Sequence, residues 1–191
     1  MRTIERTTLL DWALLGLLHQ GPQAGYDLRR TFSSTPIAHF SDSPGTIYPA
    51  LRRLERRGLI EPVPGEPGSG RRRRPLRLTR SGEAALVEWL GVLPTRADVE
   101  RDMDGLILRL GFMSQALPVA SVRLYLDALA VSVKEHLAGL EQFFAEAGPH
   151  MPLSARLAFE SGVEAFRAYA VWLKRARRQL RTHAQTERQR T

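Results

Sequence analysis

The sequence predicts a mainly α-helical protein whose N-terminal part also contains a small β-hairpin. Apolar residues recur at steps of three and four along most of the 191 residues, which is the period of an amphipathic helix. Two short segments, 59–63 and 76–79, alternate in polarity and flank a turn-rich stretch, which indicates two paired strands. From residue 96 onward the pattern is wholly helical, so the chain divides into two parts of different character.

The charge balance favours a polyanionic partner. The chain carries 28 Lys and Arg against 20 Asp and Glu, a net charge of +8, and Lys134 and Lys174 are its only lysines. Because guanidinium groups bind phosphates and guanine edges through two parallel hydrogen bonds, this composition indicates nucleic acid, although a codon bias would give the same counts. The absence of cysteine excludes disulfides, thiolate catalysis and zinc-finger chemistry.

The N-terminus indicates neither a membrane anchor nor a signal peptide. The apolar run Leu9–Leu18 is interrupted by Asp11, is too short to span a bilayer and lacks a small-residue cleavage site. We therefore expect a cytoplasmic protein without membrane contact.

The first two helices are short and amphipathic. Thr7 or Thr8 can cap the first, which ends before Gly21 and carries Trp12 on the side opposite its apolar stripe. A large aromatic there is more often packed against another part of the protein than exposed. The second helix extends from Gly25 to Phe32 and bears its arginines outward.

The third helix has one apolar and one basic face. On a helical wheel the first face holds Ile47, Ala50, Leu51 and Leu54, and the second holds Tyr48, Pro49, Arg52, Arg53 and Arg56. Ser43 before Pro44 can cap this helix; alternatively Thr46 caps it and Pro49 lies in the first turn. Gly58 closes the helix. Taken alone, the basic face could equally be a solvated surface.

A hairpin with a basic tip follows the third helix. Its loop contains Arg71, Arg72, Arg73 and Arg74, and Ser81 after the second strand is expected to cap a fourth helix that lasts until Leu93. The order helix, helix, helix, strand, basic loop, strand is that of a winged helix-turn-helix. In that architecture the third helix reads a DNA groove and the hairpin is the wing, so the basic features lie where DNA would be contacted.

The same stretch resembles the PadR family of bacterial transcriptional regulators. The resemblance is carried by the segments Leu14-Leu15-Gly16-Leu17-Leu18, Gly25-Tyr26-Asp27-Leu28, Gly45-Thr46-Ile47-Tyr48-Pro49-Ala50-Leu51-Arg52-Arg53-Leu54-Glu55, Gly58-Leu59-Ile60 and Leu76-Arg77-Leu78-Thr79. It covers roughly residues 9–90. One departure lies in the strand after the wing, where the family usually has a tyrosine. The corresponding position in this chain is Leu76 or its neighbour Arg77, so the resemblance does not imply a tyrosine–phosphate contact there.

These observations predict a homodimeric DNA-binding regulator, a repressor that a small-molecule effector releases from an inverted-repeat operator in double-stranded DNA. Phosphate and base-edge contacts are assigned to Ser43, Thr46, Tyr48, Arg52 and Arg53. Backbone contacts are assigned to Tyr26 and Arg29, and backbone or minor-groove contacts to Arg71, Arg72, Arg73 and Arg74. The resemblance further implies an effector pocket lined by Trp12 and Trp89, as in relatives with a short C-terminus, although packing is the commoner role for such residues.

The C-terminal part predicts a helical dimerisation domain. Three regular apolar seams suit helix hairpins or coiled-coil-like dimers, and they resemble the long C-terminal domain of one PadR subgroup. We therefore expect a DNA-binding domain over residues 1–93, a dimerisation domain over 94–181 and a disordered tail over 182–191.

No catalytic or metal-binding constellation is visible in the sequence. The five histidines lack ligand spacing, and Asp98, Glu100, Asp102 and Asp104 suit the starts of helices better than a divalent-metal site. We expect no enzymatic activity, no cofactor and no metal. The alternative function is a winged-helix interaction module whose basic face binds an acidic protein.

Overall fold

The computed structural model describes residues 7–34, 44–64 and 74–190. It has two compact units, Met1–Leu90 with Gly111–Ala116, and Gly91–Leu110 with Leu117–Thr191, which we call unit 1 and unit 2. Each has its own buried apolar core. Over the described ranges no helix is long and apolar enough to cross a membrane.

Among its described residues, unit 1 has four complete helices and a three-stranded antiparallel sheet. In chain order its elements are α1 Leu9–His19, β1 Gln23–Ala24, α2 Gly25–Ser34, a 3₁₀ turn Pro44–Thr46, α3 Ile47–Arg56, β2 Ile60–Pro62, β3 Pro75–Leu78 and α4 Arg80–Gly91. The strand order is β1-β3-β2, with Gln23 opposite Leu76 and Ile60 opposite Leu78. The mainly helical prediction with a small hairpin is confirmed. Strand β1 was not predicted, because two residues are too few to show an alternating pattern.

Reciprocal hydrogen bonds fix the start of α1. The backbone N–H of Asp11 donates to Thr8 Oγ1 at 3.2 Å, and the N–H of Thr8 donates to Asp11 Oδ2 at 2.8 Å. This capping box satisfies two of the amides that a helix start leaves unpaired. Of the two predicted caps, Thr8 is therefore the one used.

Helix α3 begins late, as the second alternative predicted. It starts at Ile47, so Pro49 lies in its first turn, and Thr46 holds the N-cap position without a side-chain capping bond. At the other end Gly58 adopts φ +67, and the N–H of Leu59 donates to Leu54 O at 3.0 Å. A residue with a Cβ is strained at this φ, which explains the glycine.

Helix α4 begins at Arg80, two residues earlier than a cap at Ser81 predicts. Thr79 Oγ1, not Ser81, accepts the N–H of Gly82 at 3.0 Å, and the same hydroxyl donates to Gly58 O at 2.6 Å. The predicted cap at Ser81 is wrong, because Thr79 satisfies both the helix start and the turn after α3.

Unit 2 is helical and is built on a long hairpin. Its elements are α5 Arg96–Arg101, α6 Met103–Ala116, whose last six residues belong to unit 1, α7 Val119–Ala147, a 3₁₀ turn Gly148–His150 and α8 Leu153–Arg190. Tyr125 is fully buried and donates to Leu106 O at 2.9 Å. Helices α7 and α8 pack along one another, with Leu129, Val133, Val163 and Leu173 in the core.

The C-terminal end differs from the prediction. Helix α8 continues to Arg190, whereas disorder was expected over residues 182–191. After Gly162 the sequence contains neither glycine nor proline, so nothing in it stops the helix.

Candidate nucleic-acid interface

An open groove of about 1810 Å³ lies in unit 1 between the starts of α2 and β3 and the outer face of α3. Five residues to which the sequence assigns DNA contacts line it: Tyr26, Arg29, Tyr48, Arg52 and Arg74. They come from α2, from α3 and from the residue before β3, so only the folded chain brings them together.

The groove is basic overall. Its charged lining residues are Arg29, Arg52 and Arg74 against Asp27 and Glu55, and all three arginines are exposed. Asp27 lies 3.5 Å from Arg30, which offsets its negative charge. An exposed, concave and positively charged surface attracts a polyanion.

Tyr26 and Arg29 form a contact at the start of α2. The Arg29 guanidinium carbon lies 5.6 Å from the centre of the Tyr26 ring, and Tyr26 is 53% exposed. This cation–π contact holds the guanidinium group beside a phenol hydroxyl that can donate to a phosphate.

Helices α2 and α3 approach closely beside the groove. A Cβ placed on Gly25 would lie 3.1 Å from the Tyr48 ring, which is tighter than ordinary van der Waals contact. The glycine therefore lets the half-buried Tyr48 ring lie against the backbone at the start of α2.

The two faces of α3 are as predicted. Ile47, Ala50 and Leu54 are at most 1% exposed, whereas Arg52 and Arg56 are exposed. Thr46 is also exposed and lies at the N-terminal end of α3. The helix therefore buries one face in the core of unit 1 and presents the other beside the groove.

Arg53 is paired with a buried carboxylate. Its Nε donates to Asp11 Oδ2 at 3.2 Å and a terminal nitrogen donates to Oδ1 at 2.6 Å, and the Asp11 side chain is fully buried. This bidentate pair connects α3 to α1, so we assign to Arg53 the positioning of α3, and its contact with DNA stays a prediction. The prediction missed this role because Asp11 lies 42 residues away in the sequence. The signal was an acidic residue inside the leucine-rich run of α1.

Ser43, Arg71, Arg72 and Arg73, which were also predicted to contact DNA, lie outside the described residues. Arg74, which follows these three arginines in the sequence, is exposed and lies immediately before β3. The two strands beside the hairpin loop are tied by Arg77, which donates to Glu61 Oε1 at 2.7 and 2.9 Å.

Trp12 and Trp89 stack on each other. Their ring centres are 4.9 Å apart and their planes differ by 4°. Rings this close leave no room for a third group between them, so an effector at this place has to separate them. The contact agrees with the alternative that these tryptophans serve packing, and their role in effector binding stays a prediction.

Asp98 and Asp102 act at helix starts, whereas Glu100 pairs with Arg96 and His136. Thr95 and Asp98 form a capping box on α5, and the hydrogen bond from the Thr95 hydroxyl is the main cause that lowers the pKa of Asp98. Asp102 Oδ1 accepts the N–H of Gly105 in the first turn of α6 at 2.9 Å. Among the described residues no group of three or more acidic or histidine side chains could hold a metal ion.

Comparison with known proteins gives a family match that includes the groove residues. A family model described as the transcriptional regulator PadR-like family matches residues 14–88. The Bacillus subtilis negative transcriptional regulator PadR is 33% identical over 82 residues, which is 43% of this chain and 45% of that protein. An uncharacterised Lysinibacillus sphaericus protein is 30% identical over 79 residues, which is 41% of this chain and 72% of that protein. The matched region thus spans less than half the length of the Bacillus relative.

Two solved structures of Bacillus subtilis PadR are also similar to this chain. The complex with operator DNA is 24% identical with a TM-score of 0.39, and the alignment covers 90% of this chain and 98% of that chain. The complex with p-coumaric acid is 23% identical with a TM-score of 0.39, over the same shares of the two chains.

Proposed function

Because the chain belongs to the PadR-like family of transcriptional regulators, we propose that it binds a specific DNA sequence through the groove of unit 1. The observation that carries the proposal is the assembly of Tyr26, Arg29, Tyr48, Arg52 and Arg74 along one exposed basic groove. Membership of a family of regulators also agrees with the prediction that the chain is not an enzyme.

In this proposal α3 enters the DNA major groove. Its outer face presents the half-buried Tyr48 and the exposed Arg52, with Thr46 at its N-cap, and Arg52 is able to bind a guanine edge through two hydrogen bonds. Arg29 and Tyr26 at the start of α2 contact the phosphate backbone, which fixes orientation but carries no sequence information. Arg74 and the three arginines before it contact the backbone or minor groove beside the site.

We further propose that two copies bind an inverted repeat. The C-terminal helices supply the dimer contact, since α7 and α8 form a long hairpin with exposed apolar residues such as Leu124, Val131 and Val171. Repression is supported by the name of the Bacillus relative, a negative transcriptional regulator, and release by a small-molecule effector stays a prediction. The protein would act in the cytoplasm, beside the chromosome.

The proposal is tested by fluorescence anisotropy with the DNA upstream of the protein's own gene and a scrambled duplex of equal composition. Arg52→Ala should weaken binding to the upstream DNA by about fivefold or more, since one bidentate contact contributes roughly 1–3 kcal/mol, and should reduce the preference over scrambled DNA. Arg156→Ala, which removes an exposed arginine from α8, is the matched control for the loss of one positive charge. Equal affinity of the protein for both duplexes would contradict the proposal and favour the acidic-protein alternative.

A further inference from the structure

Helix α6 is shared between the two units. Residues 103–110 are part of unit 2 and residues 111–116 are part of unit 1, although the helix is continuous across this boundary. In the first part, Leu106 O accepts a hydrogen bond of 2.9 Å from the fully buried Tyr125 of α7. This contact fixes the first part of α6 in the core of unit 2.

The second part of α6 is fixed in unit 1. Phe112 and Met113 are buried there, and the Phe112 ring lies so close to Gly16 of α1 that a Cβ on this glycine would be 2.6 Å from the ring. Near the end of the helix, His19 Nε2 lies 3.3 Å from Gln115 O. The two parts of one helix are therefore held by two different cores.

Gly111 lies where these two parts meet, and neither packing nor backbone conformation requires a glycine there. A Cβ on Gly111 would meet no atom within 4 Å, the residue is exposed, and its φ is not positive. By contrast, a Cβ on Gly105, the other glycine of α6, would overlap the Asp102 carboxylate. Because glycine in a helix interior weakens the helix relative to alanine, α6 is easiest to bend at the point where it passes from one core to the other.

We propose that Gly111 is a hinge in α6 that lets unit 1 change its orientation with respect to unit 2. A hinge absorbs a change in φ and ψ at a few residues between parts that stay rigid. The chain also passes between the units at Gly91, where a Cβ would again meet no atom within 4 Å, and at Leu117, which lies outside any helix between α6 and α7. Neither of these two passages opposes the motion.

The motion itself does not depend on DNA. Only its use, which is to adapt the groove of unit 1 to the spacing of two DNA half-sites, rests on the proposed function. A measurement of the motion in the free protein therefore succeeds or fails separately from the proposed function.

The size of the effect follows from helix propensity. Gly111→Ala makes the bent form of α6 less favourable by the difference in propensity between the two residues, which changes the ratio of bent to straight helix by about fivefold. Gly162→Ala is the matched control, because Gly162 also lies inside a helix, α8, and a Cβ on it would also meet no atom within 4 Å. Gly162 belongs to unit 2 alone, so its substitution leaves the hinge unaffected.

Double electron–electron resonance between spin labels tests the hinge in the full chain. The chain lacks cysteine, so Glu88→Cys in α4 and Lys134→Cys in α7, both at exposed positions, place one label in each unit. An excess of unlabelled chain ensures that a dimer contains at most one labelled copy. A second pair, Lys134→Cys with Gln179→Cys in α8, lies within unit 2 and gives the distribution of distances that the labels themselves produce.

We expect two populations of interlabel distance for the pair that joins the units, and one for the pair within unit 2. Gly111→Ala should change the ratio of the two populations by about fivefold, whereas Gly162→Ala should leave it unchanged. A single population between the units, a ratio that Gly111→Ala leaves unchanged, or an equal change from Gly162→Ala would overturn the proposal.

Binding to a duplex with one extra base pair between the half-sites then tests the use of the hinge. Gly111→Ala should lose about fivefold more affinity on this duplex, relative to normal spacing, than the unsubstituted chain loses. Equal losses for the two chains would contradict the use of the hinge on DNA. Absence of binding to either duplex would contradict the proposed function alone, since the distance distributions decide the hinge.

Discussion

Replacement of Arg53 by methionine should destabilise the protein far more than the same change at the adjacent Arg52. The Asp11 side chain is fully buried and that of Arg53 is 22% exposed, so loss of the guanidinium leaves a buried carboxylate whose one remaining partner among the described residues is the N–H of Thr8. Removing one partner of a buried ion pair costs roughly 3–5 kcal/mol, because the other charge is then uncompensated. The remaining hydrogen bond and the partial exposure of the pair favour the lower end, about 3 kcal/mol.

The assay is urea unfolding followed by circular dichroism, with the double variant Asp11→Asn/Arg53→Met to close a thermodynamic cycle. Arg52→Met is the matched control and should change the free energy of unfolding by no more than about 0.5 kcal/mol, as surface substitutions do. The double variant should lose less than the sum of its two single variants, because the charge left by Arg53→Met is no longer present. Equal stability of Arg53→Met and Arg52→Met would refute the assignment of Arg53 to positioning.

Three further predictions concern the loop, a turn and the core of unit 2. Replacing Arg71–Arg74 by alanine should weaken binding to every DNA sequence and flatten the salt dependence of the affinity, since phosphate contacts release counterions. Arg52→Ala should instead weaken binding at particular base pairs. Titrations on mutated operators at several salt concentrations check this, and equal losses on every sequence from both changes would contradict it. Gly58→Ala should reduce the free energy of unfolding by about 1 kcal/mol because its φ of +67 strains a residue with a Cβ, while no atom lies within 4 Å of the new Cβ. Gly91→Ala is the control, since Gly91 has neither a positive φ nor an atom within 4 Å of the new Cβ. Equal free energies of unfolding for the two variants in urea would refute the backbone cause. Burial raises the pKa of the Tyr125 hydroxyl above its ordinary value of 10.0, so its contribution to stability is complete below pH 10.0 and is lost as the pH rises towards the folded-state pKa. Tyr125→Phe should therefore lose less thermal stability above pH 10.0 than the unsubstituted chain. An alkaline stability profile that the substitution leaves unchanged would contradict this.

Local patterns in the sequence were sufficient to predict the buried face and the C-terminal end of α3. Its apolar stripe predicts the buried face, because residues three and four apart in a helix share a side, and Gly58 predicts its end through a backbone conformation that other residues avoid. The order of the elements also predicts that α2 and α3 lie side by side. Tyr26 and Arg52 could therefore be assigned from the sequence to one surface, and both line the groove.

Features that depend on distant parts of the chain could not be read in this way. The partner of Arg53 is 42 residues away, and nothing in the α3 sequence distinguishes this arginine from Arg52. Strand β1 exists because β3 pairs with it, with Ala24 opposite Pro75. The cap of α4 depends on a threonine that also bonds to the turn after α3, a contact that local sequence does not encode.

The most direct test of the central claim is hydroxyl-radical footprinting of the full chain on the DNA upstream of its own gene. Two copies that read an inverted repeat should protect two half-sites whose centres are one helical turn apart, roughly 10 bp, or a multiple of it. Arg52→Ala should remove both protected segments at a protein concentration where Arg156→Ala retains them. Absence of a footprint on this DNA, or protection that Arg52→Ala leaves unchanged, would contradict the claim that the groove of unit 1 reads DNA.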